Sequence, residues 1–187
     1  MLARMSLSRR ADLFLGPADD PRKGGPSLGD ERATLVNYLR RQRLTLEMKC
    51  AGLDAEQMAR RAVPPSTLSL LGIVRHLAEV ERRWFRLVMD RQETPPLFVD
   101  ATATDPDFDG AVPDPNVVEE AWRLWRAEVA FAEQFVRDTP DLGFVGTDDW
   151  AGKLSLRELL VHMVEEYARH NGHADLLRER IDGRLGV

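Results

Sequence analysis

Cysteine is nearly absent from this chain: Cys50 is the single one among 187 residues. One cysteine excludes an internal disulfide and is typical of a protein from a reducing compartment. Cys50 lies late in a segment with helical periodicity, where a thiol is more often a small buried apolar group than a nucleophile. We therefore predict that Cys50 carries a buried, inert thiol.

The chain also lacks an excess of positive charge and any long apolar run. Its 26 lysines and arginines are outnumbered by 31 aspartates and glutamates, which gives a formal net charge of −5. Such a balance provides no positive field to attract nucleic acid. No stretch approaches the roughly 20 apolar residues that a membrane-spanning helix needs, and Met1–Met5 has no apolar signal core. The sequence predicts a cytoplasmic protein that binds neither nucleic acid nor a membrane.

The length of the chain is sufficient for one domain with a substantial core. Residues 1–28 are rich in proline, glycine and aspartate, so we expect an irregular N-terminal arm there, with Leu13–Leu15 as its apolar contact. We assign the remaining residues, 29–187, to a single metal-binding domain.

Four amphipathic segments predict an all-α fold. Long helices are expected over about 30–51, 68–91, 114–138 and 155–182, with a short helix over about 55–61. Ser66 or Thr67 is the expected N-cap of the second long helix, Asp114 that of the third, and Ser155 with Glu158 forms a capping box for the last. No strand pattern is evident. Four such helices predict a four-helix bundle, a fold that builds metal sites from side chains on facing helices.

A long connection separates the second and third long helices. Residues 92–113 contain four prolines and several aspartates, so we expect little regular structure in them. A loop of this length in a small domain is often functional.

The last helix carries a candidate pair of metal ligands, Glu166 and His170. Counting about 100° per residue from Met163, the centre of the apolar stripe, places His170 about 20° and Glu166 about 60° from that centre. The i,i+4 spacing puts the two side chains about 6 Å apart on one helix face. A charged pair on the buried side is costly unless a partner such as a divalent cation compensates it. A third ligand from a neighbouring helix would complete a three-ligand site with an open position, as in catalytic metal centres.

The other three histidines are less decisive. His76 lies about 70° from the middle of the apolar stripe of its helix, where it can face a cleft between helices or water. His173 and His162 lie about 80° and about 100° from the centre of the last stripe. We interpret both mainly as surface residues, with His173 also a candidate partner or substitute for a ligand. In general, a helix histidine is more often solvated than metal-bound, and Glu-x-x-x-His also occurs as a surface pair.

Four stretches resemble the DinB-like superfamily of four-helix metalloproteins. The resemblance runs from about Gly16 to Gly183 and is closest to an actinobacterial branch of unknown function related to the mycothiol-dependent transferases. The stretches that carry it are Cys50–Leu53, Pro64–Leu68, Val74–Glu81 and Glu165–Asp175.

The resemblance implies a set of metal ligands. Many members of the superfamily use one histidine of the second helix and a His-x-x-x-His pair of the last helix. In this chain Glu166 stands at the first position of that pair, so the implied ligands are His76, Glu166 and His170. The chain is similar in this respect to the mycothiol-dependent maleylpyruvate isomerases, which carry a Glu-x-x-x-His version. Two imidazoles and a carboxylate suit Zn²⁺, our first choice, and also Ni²⁺, Mn²⁺ or Fe²⁺.

Three hypotheses about function follow. The leading one is a metal-dependent enzyme that holds a small thiol, mycothiol by resemblance, as a thiolate for attack on an electrophilic substrate, in a transfer or an isomerisation. Arg83 and Arg169 are candidate anchors for an anionic substrate, although a solvated role is the preferred interpretation of each. The second hypothesis is a non-catalytic bundle with a structural or vestigial metal site. The third is a stress-response binding protein or a helix-mediated homodimer that uses another surface.

Overall fold

The computed structural model describes residues 18–99, 103–150 and 152–186, and in these ranges the chain forms a bundle of four long helices. In chain order the elements are α1 (Glu31–Cys50), α2 (Ala55–Ala59), α3 (Leu70–Glu81), a π-helical segment (Arg82–Met89), α4 (Pro106–Asp109), α5 (Pro115–Asp138), β1 (Val145–Asp148), β2 (Gly152–Ser155) and α6 (Leu156–Asp182). Helix α1 packs along α6, α3 packs along α5, and α3 also contacts α6. The predicted all-α bundle is confirmed.

Capping residues set most of the helix ends at the predicted positions. Asp114 caps α5, Ser155 caps α6 by accepting a hydrogen bond from the Glu158 amide, and Gly183 ends α6 with a φ of 79°. Glycine adopts that left-handed conformation at little cost, which is why it follows so many helices. The predicted N-cap of α3 is wrong: Ser69, rather than Ser66 or Thr67, accepts a hydrogen bond from the Gly72 amide at 3.1 Å.

Helix α3 continues directly into the π-helical segment Arg82–Met89. At the end of this segment the amide of Asp90 donates to the carbonyl of Phe85, five residues earlier. Each turn of the segment therefore contains more residues than an α-helical turn does. Side chains beyond Glu81 therefore drift out of the α-helical phase. Phe85 becomes fully buried, whereas Leu87 remains 39% exposed.

The described residues include a small antiparallel hairpin between α5 and α6, which the sequence pattern did not indicate. Strands β1 and β2 pair with Val145 opposite Ser155 and Asp148 opposite Gly152. The hairpin packs on the π-helical segment at Gly146, where a Cβ atom would lie 2.9 Å from the Met89 sulfur. Each strand has only four residues and lies in a stretch rich in glycine and aspartate. Such a segment shows too little alternation of apolar and polar residues for a strand to be predicted.

The apolar face of α6 is buried as its periodicity predicts. Its buried side chains on either side of Met163 include Leu156, Leu159, Leu160, Tyr167, Ala174 and Leu177. They pack into one core with residues of the other long helices. The phase of this face determines which way Glu166 and His170 point.

A charged network lies inside this core, and one of its members, Tyr167, directly follows the candidate ligand Glu166 in the sequence. The Glu81 carboxylate is fully buried and accepts two hydrogen bonds from the Arg43 guanidinium, at 2.8 and 2.7 Å. It also accepts one from the Tyr167 hydroxyl at 2.8 Å, and that hydroxyl accepts one from the Trp125 indole at 2.8 Å. The network joins α1, α3, α5 and α6 at one level of the bundle.

The part of the predicted N-terminal arm that the structure describes, residues 18–28, forms turns and bends along α1. The Arg40 guanidinium holds it by donating to the carbonyls of Pro21 and Arg22, at 3.2 and 2.9 Å. Leu13–Leu15, the predicted apolar contact, lies outside the described residues. Among the helices that the structure describes, none combines the length and the apolar character that crossing a bilayer requires.

Candidate metal centre

Helices α3 and α6 bring His76, Glu166 and His170 together. Each of the three residues has one donor atom suited to a metal, and these atoms all lie within 4.8 Å of one another. The side chains of His76, Glu166 and His170 are 25%, 13% and 10% exposed, respectively. The cluster is therefore recessed in the bundle but open to solvent on the His76 side.

The two imidazoles converge on a single carboxylate oxygen. The Nε2 atoms of His76 and His170 lie 3.1 and 3.3 Å from the same Glu166 oxygen, Oε1. The two rings are 4.8 Å apart between centroids. Three potential ligand atoms on two different helices are thus directed toward one small volume.

The pKa values of Glu166 and His76 indicate that the space between the three side chains stabilises a positive charge. Hydrogen bonds from His170 and then from His76 hold the pKa of Glu166 far below its ordinary value. Burial lowers the pKa of His76, but its hydrogen bonds to Asp107 and Glu166 outweigh burial and raise that pKa to about 9. A proton therefore remains on His76 at neutral pH. The site stabilises a positive charge next to Glu166, where a cation bound by the same three atoms would place one.

The donor set also fits a divalent metal chemically. Two neutral imidazoles and one carboxylate are the ligands of many catalytic zinc sites, and they suit Ni²⁺, Mn²⁺ and Fe²⁺ as well. Metal binding requires each imidazole to present an unprotonated nitrogen, so a cation would displace the proton that His76 shares with Glu166.

The long connection between the π-helical segment and α5 supplies a neighbour that the sequence pattern did not identify as part of the site. Asp107, in α4, places its Oδ2 atom 3.3 Å from Nδ1 of His76. Phe108, the next residue, is 7% exposed and packs its ring 5.5 Å from the His76 ring between centroids. The proline and aspartate content of this connection was the only sequence signal that pointed to it.

The remaining two histidines occupy different surroundings. His173 places its Nδ1 atom 3.5 Å from Nδ1 of His170, so it contacts the outer side of that ring and lies outside the cluster of three. His162 packs its ring edge-on against Trp84, with centroids 4.9 Å apart. His173 is therefore a partner of a candidate ligand, and His162 is a packing residue away from the cluster.

Arg83 and Arg169, the candidate anchors for an anionic substrate, are both about half exposed and both lie beside carboxylates. Arg83 donates to Asp148 of the hairpin at 2.7 Å. Arg169 lies 3.3 Å from Glu165 and 3.5 Å from Oε2 of Glu166. Since Oε1 of Glu166 faces the histidines, Arg169 holds the outward oxygen of that carboxylate.

A cleft of about 570 Å³ between α1 and α5 lies apart from this cluster. Its cationic groups are already engaged in the fold. Arg32 donates to the Val136 carbonyl at 2.8 Å, and Arg43 is bound to Glu81. The cleft shares no lining residue with the three candidate ligands.

The Cys50 thiol is expected to resist alkylation in the folded protein. Cys50 is 6% exposed, and burial, the largest cause, raises the pKa of its thiol to about 12. Because the thiolate is the reactive form, we expect iodoacetamide at pH 8 to label the native chain at least about 100-fold more slowly than the chain unfolded in guanidinium. Mass spectrometry of quenched samples measures both rates. Equal rates would show that Cys50 is accessible and reactive.

Comparison with known proteins identifies one family. The family model described as Mycothiol-S-transferase matches residues 34–183, which includes all four long helices except the first three residues of α1. A comparison with curated protein sequences finds no match. A solved structure, described as the crystal structure of the conserved protein of locus from Enterococcus faecalis, has a similar fold with a TM-score of 0.56 and 15% sequence identity. The match covers 81% of this chain and 96% of that one.

Proposed function

The chain belongs to the mycothiol S-transferase family, whose model spans most of its length, and from this premise we propose that it is a divalent-metal-dependent enzyme acting on a thiol of the mycothiol type. In the proposed reaction the thiol loses its proton to solvent and its sulfur forms a bond to an electrophilic carbon. In a transfer, a leaving group departs from that carbon with its bonding electron pair; in an isomerisation, the thiolate adds to a conjugated C=C bond, whose π electrons move onto the conjugated group, and the thiolate leaves again after rotation about the resulting single bond. The observation that carries the proposal is the approach of two imidazole Nε2 atoms to one oxygen of Glu166.

In this proposal His76, Glu166 and His170 hold the cation, with Zn²⁺ as the first choice. When bound there, a divalent cation supplies Lewis acidity that keeps a thiol in its thiolate form near neutral pH. Three protein ligands leave room for one further ligand, as catalytic sites require. One carboxylate among two neutral imidazoles leaves a net charge of +1 with a divalent cation, which favours an anionic sulfur.

The surrounding residues orient these groups and limit their exposure. Arg169 lies near the outward oxygen of Glu166, which favours turning the other oxygen toward the histidines. The Phe108 ring covers one side of His76. The 25% exposure of the His76 side chain leaves an approach for a small thiol and a path for its proton to solvent.

A thiol-conjugation assay tests this function. We expect the untagged full-length protein, loaded with Zn²⁺, to accelerate the reaction of mycothiol with 1-chloro-2,4-dinitrobenzene at pH 7 by about 30-fold or more. A free thiol of ordinary pKa is only a few per cent thiolate at that pH, so full ionisation alone increases the rate by about this factor. The absorbance of the dinitrophenyl thioether measures the rate. Glutathione, supplied at the same thiol concentration, tests the preference for mycothiol.

Two neighbouring carboxylates provide a matched pair of variants for the assay. Glu166→Gln removes the charge at the centre of the cluster and should abolish the metal-dependent rate. Glu165→Gln removes a charge from the adjacent residue, whose side chain is 65% exposed, and should leave the rate unchanged. If wild-type protein binds one metal per chain yet accelerates no conjugation across several electrophiles, the thiol-transfer proposal is wrong and the non-catalytic metal bundle replaces it.

A further inference from the structure

The two nitrogens of the His76 ring face different carboxylates. Nε2 lies 3.1 Å from Glu166 in the cluster, and Nδ1 lies 3.3 Å from Oδ2 of Asp107 on the opposite side of the ring. The Asp107 side chain is only 15% exposed, so water screens this contact little. Asp107 therefore contacts the outer edge of a candidate ligand and has no atom among the three that converge.

We propose that Asp107 is a positioning residue for the metal, acting through His76. The inference rests on the proposed metal-binding function. A carboxylate at Nδ1 accepts a hydrogen bond from the proton on that nitrogen, which leaves the lone pair of Nε2 directed into the cluster. The same hydrogen bond fixes the rotation of the ring and makes Nε2 a more basic ligand. Partners of this kind commonly change metal affinity by about 10- to 100-fold.

The fold holds Asp107 in place through the residue next to His76. The Arg75 guanidinium donates from Nε to the Asp107 carbonyl at 2.8 Å and from Nη2 to the Pro106 carbonyl at 3.0 Å. Arg75 is itself 7% exposed and lies 3.8 Å from the centroid of the Phe98 ring. Adjacent residues of α3 thus provide the ligand and fix the turn that orients it.

A glycine in α3 allows the turn to approach this closely. A Cβ atom on Gly72 would lie 2.5 Å from Cδ1 of Phe108, the residue that follows Asp107. Gly72 stands one helical turn before His76, so the absence of a side chain there makes room for the Phe108 ring. The position of Asp107 is therefore set by two contacts that do not involve His76.

The second histidine has a weaker partner. Nδ1 of His170 faces Nδ1 of His173 at 3.5 Å, and a neutral imidazole is a poorer acceptor than a carboxylate. Among the described residues that contact the two rings through Nδ1, Asp107 is the one that carries a charge. We therefore expect the loss of the Asp107 charge to affect metal binding more than the replacement of His173 by alanine.

Asp107→Asn tests the inference because it keeps the volume of the side chain and removes its charge. We expect its affinity for Zn²⁺, measured by competition with a chromophoric chelator, to fall by about 10- to 100-fold. The matched control is Asp109→Asn in the same turn, where the side chain is 40% exposed and pairs with Arg61, and it should change the affinity by less than about threefold. Asp107→Glu, which keeps the charge but displaces it by one methylene, should give an intermediate affinity.

A second readout separates positioning from general structural damage. In zinc-loaded protein with ¹⁵N-labelled histidine, the Nδ1 proton of His76 should exchange slowly, and Asp107→Asn should accelerate that exchange while the His170 resonances stay in place. Circular dichroism checks that all variants fold. Wild-type affinity and exchange in Asp107→Asn would overturn the positioning role and leave the metal site intact. Wild-type protein that binds no Zn²⁺ would overturn the proposed function and this inference with it.

Discussion

His170→Ala is expected to lower the affinity for Zn²⁺ by about a thousandfold. Protein sites with a full set of ligands bind zinc with roughly 10–16 kcal/mol, so the loss of one ligand of three removes about 4 kcal/mol, which corresponds to that factor. His170 is the most buried of the three candidate ligands, and its Nε2 atom lies 3.3 Å from the oxygen that His76 also approaches. Protein purified without an affinity tag, analysed for metal content and titrated against a chelator, provides the measurement.

His162→Ala is the matched control for this prediction. It removes the same side chain from the same helix, at a position where the ring packs against Trp84 outside the cluster. We expect one metal per chain in this variant and in wild-type protein, and far below one in His170→Ala under dilute conditions. Metal content that is negligible in wild-type protein, or the same in both variants, would reject the site and leave the helical bundle without a metal function.

The sequence predicted one half of the candidate site more directly than the other. Glu166 and His170 follow from the periodicity of α6, because its apolar face is continuous and both residues lie within that face. His76 could not be assigned in this way. A helical wheel gives the angle between His76 and the apolar stripe of its own helix. It does not show which neighbouring helix, if any, faces a residue at the edge of that stripe. The resemblance to a metalloprotein superfamily supplied that information.

Asp107 and the phase of the second long helix could not be predicted, and both depend on tertiary contacts. Asp107 lies 31 residues after His76, in a turn held by the Arg75 guanidinium through backbone carbonyls, for which no spacing rule exists. The π-helical segment follows from a shift of hydrogen bonds to the fifth preceding residue, which propensities do not indicate. Local patterns predicted the four long helices and most of their caps. Long-range contacts, which such patterns do not contain, determine that Asp107 lies beside His76.

The buried Glu81 network is another feature that sequence patterns did not indicate, and its disruption should cause the largest loss of stability. Glu81→Gln removes the charge that compensates Arg43, which is 6% exposed, in the middle of the bundle. Glu133, 3.7 Å from Arg43 with its side chain 44% exposed, compensates that charge only weakly. The loss of the buried partner therefore costs about 3–5 kcal/mol, which for a domain of this size lowers the melting temperature by roughly 6–20 °C. Thermal and urea unfolding of the apo proteins, followed by circular dichroism, measure the change.

A double variant shows whether the cost comes from the unpaired charge. Arg43→Met combined with Glu81→Leu removes both charges and keeps most of the buried volume, so it should be more stable than Glu81→Gln despite having two substitutions. The Tyr167 hydroxyl would still accept the hydrogen bond from Trp125, but it would lose Glu81 as the acceptor of its own hydrogen bond. Glu133, which lies 3.7 Å from Arg43 with its side chain 44% exposed, would be solvated. A double variant that is less stable than the single one would instead mean that the charged network, including the Tyr167 hydrogen bond to Glu81, contributes net stability. In that case the Arg43–Glu81 pair would be a stabilising link between α1 and α3.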